Sequence, residues 1–153
     1  MKLFQLWVKE INFKQWYFKI GSNIVIYHEK TKKKMVNALI IDDEIDICYL
    51  LSSILRTKNL KVSYVNSLSE ADIALRKQQP EIIFLDNHLP DGLGVDYIRQ
   101  LKTIYPGTRI AMITAFDNYT ERQKAFNNGA DIFITKPFTK ELIYKTVDDL
   151  LKA

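Results

Sequence analysis

The chain has 153 residues, which is about one domain by length, and its 47% hydrophobic content is enough for one packed core. The single cysteine, Cys48, excludes a disulfide framework and a cysteine-based metal site. The net charge of +4 comes from residues 1–34, which hold eight lysines and two glutamates. Residues 35–153 hold 14 basic and 16 acidic side chains, so the main body offers no basic stripe for nucleic acid.

The sequence has no run of eighteen or more apolar residues, and its N-terminus lacks the pattern of a secretory signal. We therefore expect a cytoplasmic protein that does not span a membrane.

From residue 36 onward, short apolar runs alternate with longer amphipathic stretches. Residues 36–41 form an apolar run that stops at two aspartates, which predicts a buried strand. Residues 44–58 carry apolar side chains at helical spacing, which predicts a helix. The same alternation continues to the end of the chain, with strands at 61–65, 81–86, 109–114 and 131–135 and helices at 69–78, 93–105, 118–128 and 140–151.

Five strands that alternate with five helices predict an α/β fold, a five-stranded parallel sheet with helices on both faces. Helix and strand breakers fall between the predicted elements. Pro80 precedes the third strand, and Asn128 with Gly129 predicts a left-handed end to the fourth helix.

Polar side chains follow the carboxyl ends of the predicted strands, which meet at one edge of a parallel sheet. They are Asp42 and Asp43 after the first strand, Asp86 at the third, Thr114 at the fourth and Lys136 after the fifth. Clustered carboxylates repel one another unless a cation neutralises them, and oxygen ligands favour Mg²⁺ over Zn²⁺. A lysine and a hydroxyl beside such an ion can bind a phosphoryl group, and Asp86 is best placed to accept it.

Short motifs on these strands resemble the signatures of the bacterial response-regulator receiver family, in order and spacing. They are LIIDDE at 39–44, FLD at 84–86 with LPDG at 89–92, MITA at 112–115, and ITKPF at 134–138. The resemblance covers residues 35–153. It implies a doubly wound, flavodoxin-like (βα)₅ fold and a phosphorylation switch of the chemotaxis-regulator type.

The resemblance also assigns roles by position. It implies that Asp43, Asp86 and the backbone carbonyl of His88 bind Mg²⁺ directly and that Asp42 acts largely through water. Lys136 would pair with the acceptor and then with the phosphoryl oxygens.

The family's switch residues also have counterparts here. Thr114 would move to bond the phosphoryl group, Phe133 would be the switch aromatic, and the bond before Pro137 would be cis.

Simpler interpretations exist for single residues. Asp42 or Asp43 can cap the following helix, Phe133 can be ordinary core, and His88 can be a solvated loop residue. A haloacid-dehalogenase-type phosphatase would need an aspartate two positions after the nucleophile, where this chain has His88. A flavin-binding or nucleotide-binding module would need a phosphate-cradling loop where this chain has two aspartates.

Residues 1–34 do not match the family, and three accounts compete for them. One is a folded hairpin with strands at 15–20 and 24–28, and a second is an arm that binds a membrane surface or a partner. The third is a start site set too early, because 22 of these 34 residues have codons rich in adenine and thymine. We favour the third account and expect a non-native or flexible extension before a receiver domain at 35–153.

The resemblance implies a phosphodonor, either a sensor histidine kinase or a histidine phosphotransfer protein, and a downstream protein target. Because no further module follows in this sequence, we expect a single-domain regulator, a monomer or a phosphorylation-dependent dimer, without direct nucleic-acid or membrane binding. The alternative is an intermediate phosphocarrier in a phosphorelay.

Overall fold

The structure is a computed structural model, and it describes residues 13–20, 23–30, 35–116 and 118–152. The chain divides into two compact units, Met1–Lys34 and Met35–Ala153.

The first unit contains two antiparallel strands, β1 (Phe13–Ile20) and β2 (Asn23–Lys30). Phe13 pairs with Lys30 at one end of the two strands, and Ile20 pairs with Asn23 at the other. This is the strand pairing that the hairpin account requires. The assignment of residues 1–34 to an extension outside the domain stays a prediction.

The second unit begins with strand β3 (Asn37–Ile41), helix α1 (Ile45–Thr57), strand β4 (Lys61–Val65), helix α2 (Leu68–Lys77) and strand β5 (Ile82–Asp86). It continues through two short strands, β6 (His88–Leu89) and β7 (Gly92–Leu93), to helix α3 (Gly94–Ile104) and strand β8 (Arg109–Thr114). Helix α4 (Tyr119–Asn128), strand β9 (Ile132–Thr135) and helix α5 (Lys140–Lys152) complete it.

Five of these strands form one parallel sheet in the order β4-β3-β5-β8-β9. The chain moves outward from β3 to β4 and then returns to the other side of β3 at β5. The strand order therefore reverses between β3 and β5, and the crevice at their carboxyl ends is where ligands bind in open sheets of this kind.

Alternating side chains of the strands build one core on each face of the sheet. On β5, for example, Ile83 and Leu85 face the core that contains α2, α3 and α4, whereas Ile82 and Phe84 face the core that contains α1 and α5. Because helices cover both faces of the sheet, the central strands carry apolar side chains on both faces and do not alternate with polar ones. Every residue of β5 is buried.

The structure confirms the predicted α/β fold, and each predicted element of the second unit ends within one residue of the observed element. Gly129 ends α4 with a φ of 110°, the left-handed conformation that the sequence predicts there. The short β6–β7 pair was not predicted. Among the residues that the structure describes, no helix is long and apolar enough to cross a membrane.

The arrangement of the core predicts that a chain beginning at Met35 folds as stably as the full chain, because all five strands of the sheet and both cores lie in the second unit. Urea unfolding of the two chains, followed by circular dichroism, should give the same free energy within about 0.5 kcal/mol. A loss of several kcal/mol in the shorter chain would show that residues 1–34 stabilise the domain.

Candidate functional site

The residues predicted to carry chemistry meet at the carboxyl edge of the sheet, at the point where the strand order reverses. Asp42 follows β3 and Asp86 ends β5, and both carboxylates are buried. Thr114 ends β8 and is fully buried, while Lys136 directly follows β9. The backbone N–H of Lys136 donates to the carbonyl of Thr114 at 2.7 Å, which fixes the start of the lysine side chain beside that strand end.

The ammonium of Lys136 lies among three carboxylates. Its Nζ is 2.8 Å from Asp86 Oδ1, 2.7 Å from Glu44 Oε1 and 2.9 Å from Asp42 Oδ2. The contacts with Asp86 and Glu44 are well-formed hydrogen bonds. The sequence predicts that Lys136 meets the buried aspartates, but it assigns no role to Glu44, which lies in the LIIDDE motif and at the start of the predicted helix.

The two oxygens of Asp42 have different environments. Oδ1 accepts the backbone N–H of Glu44 at 2.9 Å, whereas Oδ2 is buried and receives no aligned hydrogen bond although Lys136 Nζ is close. Burial raises the pKa of the Asp42 carboxyl above its usual range, against the opposing effects of Lys136 and the Glu44 amide. Asp42 Oδ2 is therefore stabilised by the charge of Lys136 and not by an aligned hydrogen bond.

Lys136 remains charged in this environment. Burial alone lowers the pKa of a lysine ammonium, but the hydrogen bonds to Asp86 and Glu44 and the proximity of Asp42 outweigh burial and raise the pKa above its usual range. The site therefore contains a permanent positive charge next to Asp86.

The turn after Asp86 holds the second oxygen of its carboxylate. Asp86 Oδ2 accepts the backbone N–H of His88 at 2.6 Å, and the buried Asn87 side chain accepts the N–H of Val95 at 3.1 Å. Gly94 passes so close to the strand end that a Cβ there would overlap the carbonyl oxygen of Asp86. Sequence spacing alone does not identify such a close approach, because a glycine in an ordinary turn has the same pattern.

Two neighbouring side chains hold the loop that carries Asp42. Asn66, just after β4, donates its Nδ2 to the carbonyl of Asp42 at 2.7 Å. The thiol of Cys48 contacts the same carbonyl at 3.2 Å, and burial raises its pKa to about 11, so the thiol keeps its proton.

A third side chain connects the loop after Asp86 to helix α2. Asp91 accepts the backbone N–H groups of Leu68 and Ser69, each at 2.9 Å, at the start of that helix. These hydrogen bonds place Asp91 at the N-terminus of α2, where a negative charge is favourable.

Thr114 and the predicted switch aromatic lie on adjacent strands. Thr114 Oγ1 accepts the backbone N–H of Phe116 at 3.2 Å, and the Phe133 ring is buried among side chains of the core that contains α4. The guanidinium of Arg122 on α4 lies 4.6 Å from the centroid of that ring. Phe133 thus packs inward in this structure.

Two aromatic rings lie at the outer side of the site. The His88 and Phe116 rings make an edge-to-face contact with centroids 5.4 Å apart, and Phe116 is 60% exposed. The Lys136–Pro137 peptide bond is cis, as the resemblance implied.

Among the described residues, no group of three or more Asp, Glu, His or Cys side chains has the spacing of a metal site. Asp43, predicted as a direct ligand, is exposed, and Lys136 lies between the carboxylates of Asp42 and Asp86. The donor set nevertheless suits a hard cation, because it consists of carboxylate oxygens and includes the buried Asp42 Oδ2 without an aligned donor. The roles of Asp42, Asp43, Asp86 and the His88 carbonyl as ligands stay predictions.

Comparisons with known proteins agree with this geometry. A family model described as the response regulator receiver domain matches residues 38–148. The probable transcriptional regulatory protein TcrX of Mycobacterium tuberculosis is 32% identical over 117 residues, which are 76% of this chain and 50% of TcrX. The chain therefore spans about half the length of that relative.

Two solved structures match over nearly their whole length. A two-component response regulator from Clostridium difficile superposes with a TM-score of 0.74 at 25% identity, covering 77% of this chain and 97% of that one. The beryllofluoride-activated receiver domain dimer of NtrC4 superposes with a TM-score of 0.73 at 30% identity, covering 76% and 96%.

The close approach at Gly94 predicts that Gly94→Ala destabilises the domain by about 1–3 kcal/mol, because the added methyl group has to displace the backbone of Asp86. Urea unfolding measures this loss. Gly107→Ala is the matched control, because a Cβ at Gly107 would meet no atom within 4 Å. Equal stability of the two variants would contradict the close approach.

Proposed function

The chain belongs to the response regulator receiver family, and on that premise we propose that it is a phosphorylation switch of two-component signalling whose acceptor is Asp86. The observation that carries the proposal is the environment of the Asp86 carboxylate. The carboxylate is buried at the sheet edge, where Oδ1 accepts a hydrogen bond from the Lys136 ammonium and Oδ2 accepts one from the His88 N–H. This environment orients a carboxylate oxygen for attack on an incoming phosphorus.

The proposed reaction is a phosphoryl transfer to a carboxylate oxygen of Asp86. A bond forms between that oxygen and the phosphorus, while the bond from phosphorus to the donor's leaving group breaks and the leaving group keeps the electron pair. Lys136 stabilises the charge on the phosphoryl oxygens, and the Thr114 hydroxyl donates a further hydrogen bond after a rotation that releases the Phe116 N–H.

Mg²⁺ is the cofactor that the family implies, and Asp42, Asp43, Asp86 and the His88 carbonyl are the residues that would hold it. When bound, the ion would neutralise the carboxylates together with the phosphate oxygens. The buried Asp42 Oδ2 supports this assignment, because a cation would satisfy an oxygen that receives no aligned hydrogen bond.

We propose a sensor histidine kinase or a histidine phosphotransfer protein as donor, a protein as downstream target, and a cytoplasmic location. The domain itself is a switch that promotes its own phosphorylation and dephosphorylation rather than an enzyme acting on another substrate. It would act as a single-domain regulator, monomeric or dimeric on phosphorylation, with a phosphorelay intermediate as the alternative. TcrX, by its name, is a probable transcriptional regulatory protein, and the chain spans half of it.

The proposed output uses Thr114 and Phe133. Movement of the Thr114 hydroxyl toward the phosphoryl group would change the space available to the Phe133 ring on the neighbouring strand. Because that ring packs with α4 and contacts Arg122, its movement would change the surface around α4, β9 and α5.

Phosphorylation should require both Asp86 and Mg²⁺. Incubation with a small phosphodonor and Mg²⁺ should add one phosphoryl group to the wild-type chain, as measured by intact mass. Asp86→Asn and a wild-type sample with excess EDTA should gain none, because one lacks the acceptor and the other lacks the neutralising ion.

Asp149→Asn is the control, because Asp149 is an exposed aspartate on α5 and is not one of the residues assigned to the site. A phosphoryl gain by Asp86→Asn at the wild-type rate would show that the acceptor is another residue.

The lifetime of the phosphorylated state should depend on Phe116. Its ring is apolar and packs against the His88 ring, so it can shield the phosphorus from water but cannot orient a water molecule. We expect slow spontaneous dephosphorylation, and a several-fold faster decay in Phe116→Ala and Phe116→Glu in excess Mg²⁺. Phe126→Ala, which removes a partly exposed ring from α4, should decay at the wild-type rate. Unchanged or slower decay in both Phe116 variants would exclude the shielding role.

A further inference from the structure

The Lys136 ammonium has three N–H donors and no acceptor. Three carboxylate oxygens lie within 2.9 Å of Nζ, and they belong to Asp42, Glu44 and Asp86. Two of them, Glu44 and Asp86, accept aligned hydrogen bonds from it. A phosphoryl oxygen that approaches Lys136 therefore competes with these carboxylates for the ammonium.

Exposure decides which contact can be lost at the lowest cost. The side chains of Asp42 and Asp86 are 2% and 6% exposed, so water cannot replace the ammonium at either carboxylate. The side chain of Glu44 is 59% exposed, so water can solvate it when Lys136 leaves. Of the two carboxylates that are not the acceptor, Glu44 can therefore give up its contact with Lys136 at a lower cost than Asp42 can.

The shortest of the three contacts with the ammonium is the one with Glu44, at 2.7 Å. Lys136 donates an aligned hydrogen bond to the exposed Glu44, while the buried Oδ2 of Asp42 receives none. If only the cost of desolvation decided which oxygen Lys136 bonds, the aligned hydrogen bond would go to the buried Asp42 oxygen, because a buried acceptor without a donor costs more free energy than an exposed one. Glu44 draws the ammonium toward the solvent side of the site.

We propose that Glu44 is a positioning residue that holds Lys136 before phosphorylation and competes with the phosphoryl group for it. The proposal rests on the proposed function, since it concerns the phosphoryl group on Asp86. When the bond between Asp86 and phosphorus forms and the leaving group departs, the N–H that Lys136 gives to Glu44 passes to a phosphoryl oxygen, and Glu44 turns to water. Glu44 thus lowers the affinity of the site for phosphoryl groups.

Glu44→Gln tests this competition. Glutamine keeps the length of the side chain and an acceptor oxygen, but a neutral acceptor makes a weaker hydrogen bond to an ammonium than a carboxylate does. The substitution should not disturb α1, because the Glu44 side chain makes no capping hydrogen bond there. Lys136 would then be released more easily.

Asp46→Asn is the matched control for charge. Asp46 lies in the first turn of the same helix and is exposed, and its removal changes the net charge by the same amount without removing a contact to Lys136. An effect through the ammonium should occur only in the Glu44 variant, whereas a general electrostatic effect should occur in both.

The measurement is the dissociation constant of each full-length protein for beryllofluoride, obtained from amide chemical shifts during a titration. Each protein is kept at a Mg²⁺ concentration that saturates it, and calorimetry determines that concentration beforehand. We expect Glu44→Gln to bind beryllofluoride about two- to fivefold more tightly than the wild type. Asp46→Asn should bind like the wild type. The ¹⁵N resonance of Lys136 Nζ in the free protein should shift in the Glu44 variant and stay in place in the Asp46 variant.

Each other outcome counts against the proposal. Equal affinity of Glu44→Gln and the wild type, or an equal gain in both variants, would overturn the competition but leave Asp86 as the acceptor. Failure of the wild-type protein to bind beryllofluoride in Mg²⁺ would overturn the proposed function and the competition together.

Discussion

The pairing of the Lys136 ammonium with buried carboxylates is the interaction on which the site depends. Asp42 and Asp86 are brought together because β3 and β5 are neighbours where the strand order reverses, and both carboxylates are almost inaccessible to water. Two such charges without a cation would be strongly destabilising. Lys136 supplies the positive charge from the end of β9, and its raised pKa ensures that it stays protonated.

The loops around this cluster are tied to the scaffold by hydrogen bonds rather than by apolar packing. Asn66 holds the carbonyl of Asp42, and Asp91 connects the loop after Asp86 to the first turn of α2. Gly94 lets α3 begin directly against the strand end that carries Asp86. Such support holds reacting groups in place when the charge of the site changes, which is a requirement for transfer to an oriented carboxylate.

The sequence predicted the fold of residues 35–152 almost completely. Periodic apolar residues mark the strands of the five-stranded sheet and the helices that pack on it, and proline and glycine mark several of the connections. It also predicted that Asp42, Asp86, Thr114 and Lys136 meet, because this follows from strand ends in a parallel sheet. It did not predict the Glu44 contact, the Asn66 and Asp91 hydrogen bonds or the steric role of Gly94. These depend on the paths of loops and the reach of side chains, which residue spacing does not specify.

The attachment of α4 bears on how a local change at Thr114 could reach the surface. In the described helix α4 only the Ala125 side chain is buried, whereas α3 buries Val95, Tyr97, Ile98 and Leu101. Burial of apolar area contributes about 25 cal/mol per Å², so α4 is held to the sheet by less energy than α3. Arg122, which contacts the Phe133 ring, therefore lies on a helix that can be displaced at a low cost in free energy. In the proposed switch, a single new hydrogen bond at Thr114 contributes about 0.5–1.5 kcal/mol, and α4 is the helix that an energy of this size is best able to move.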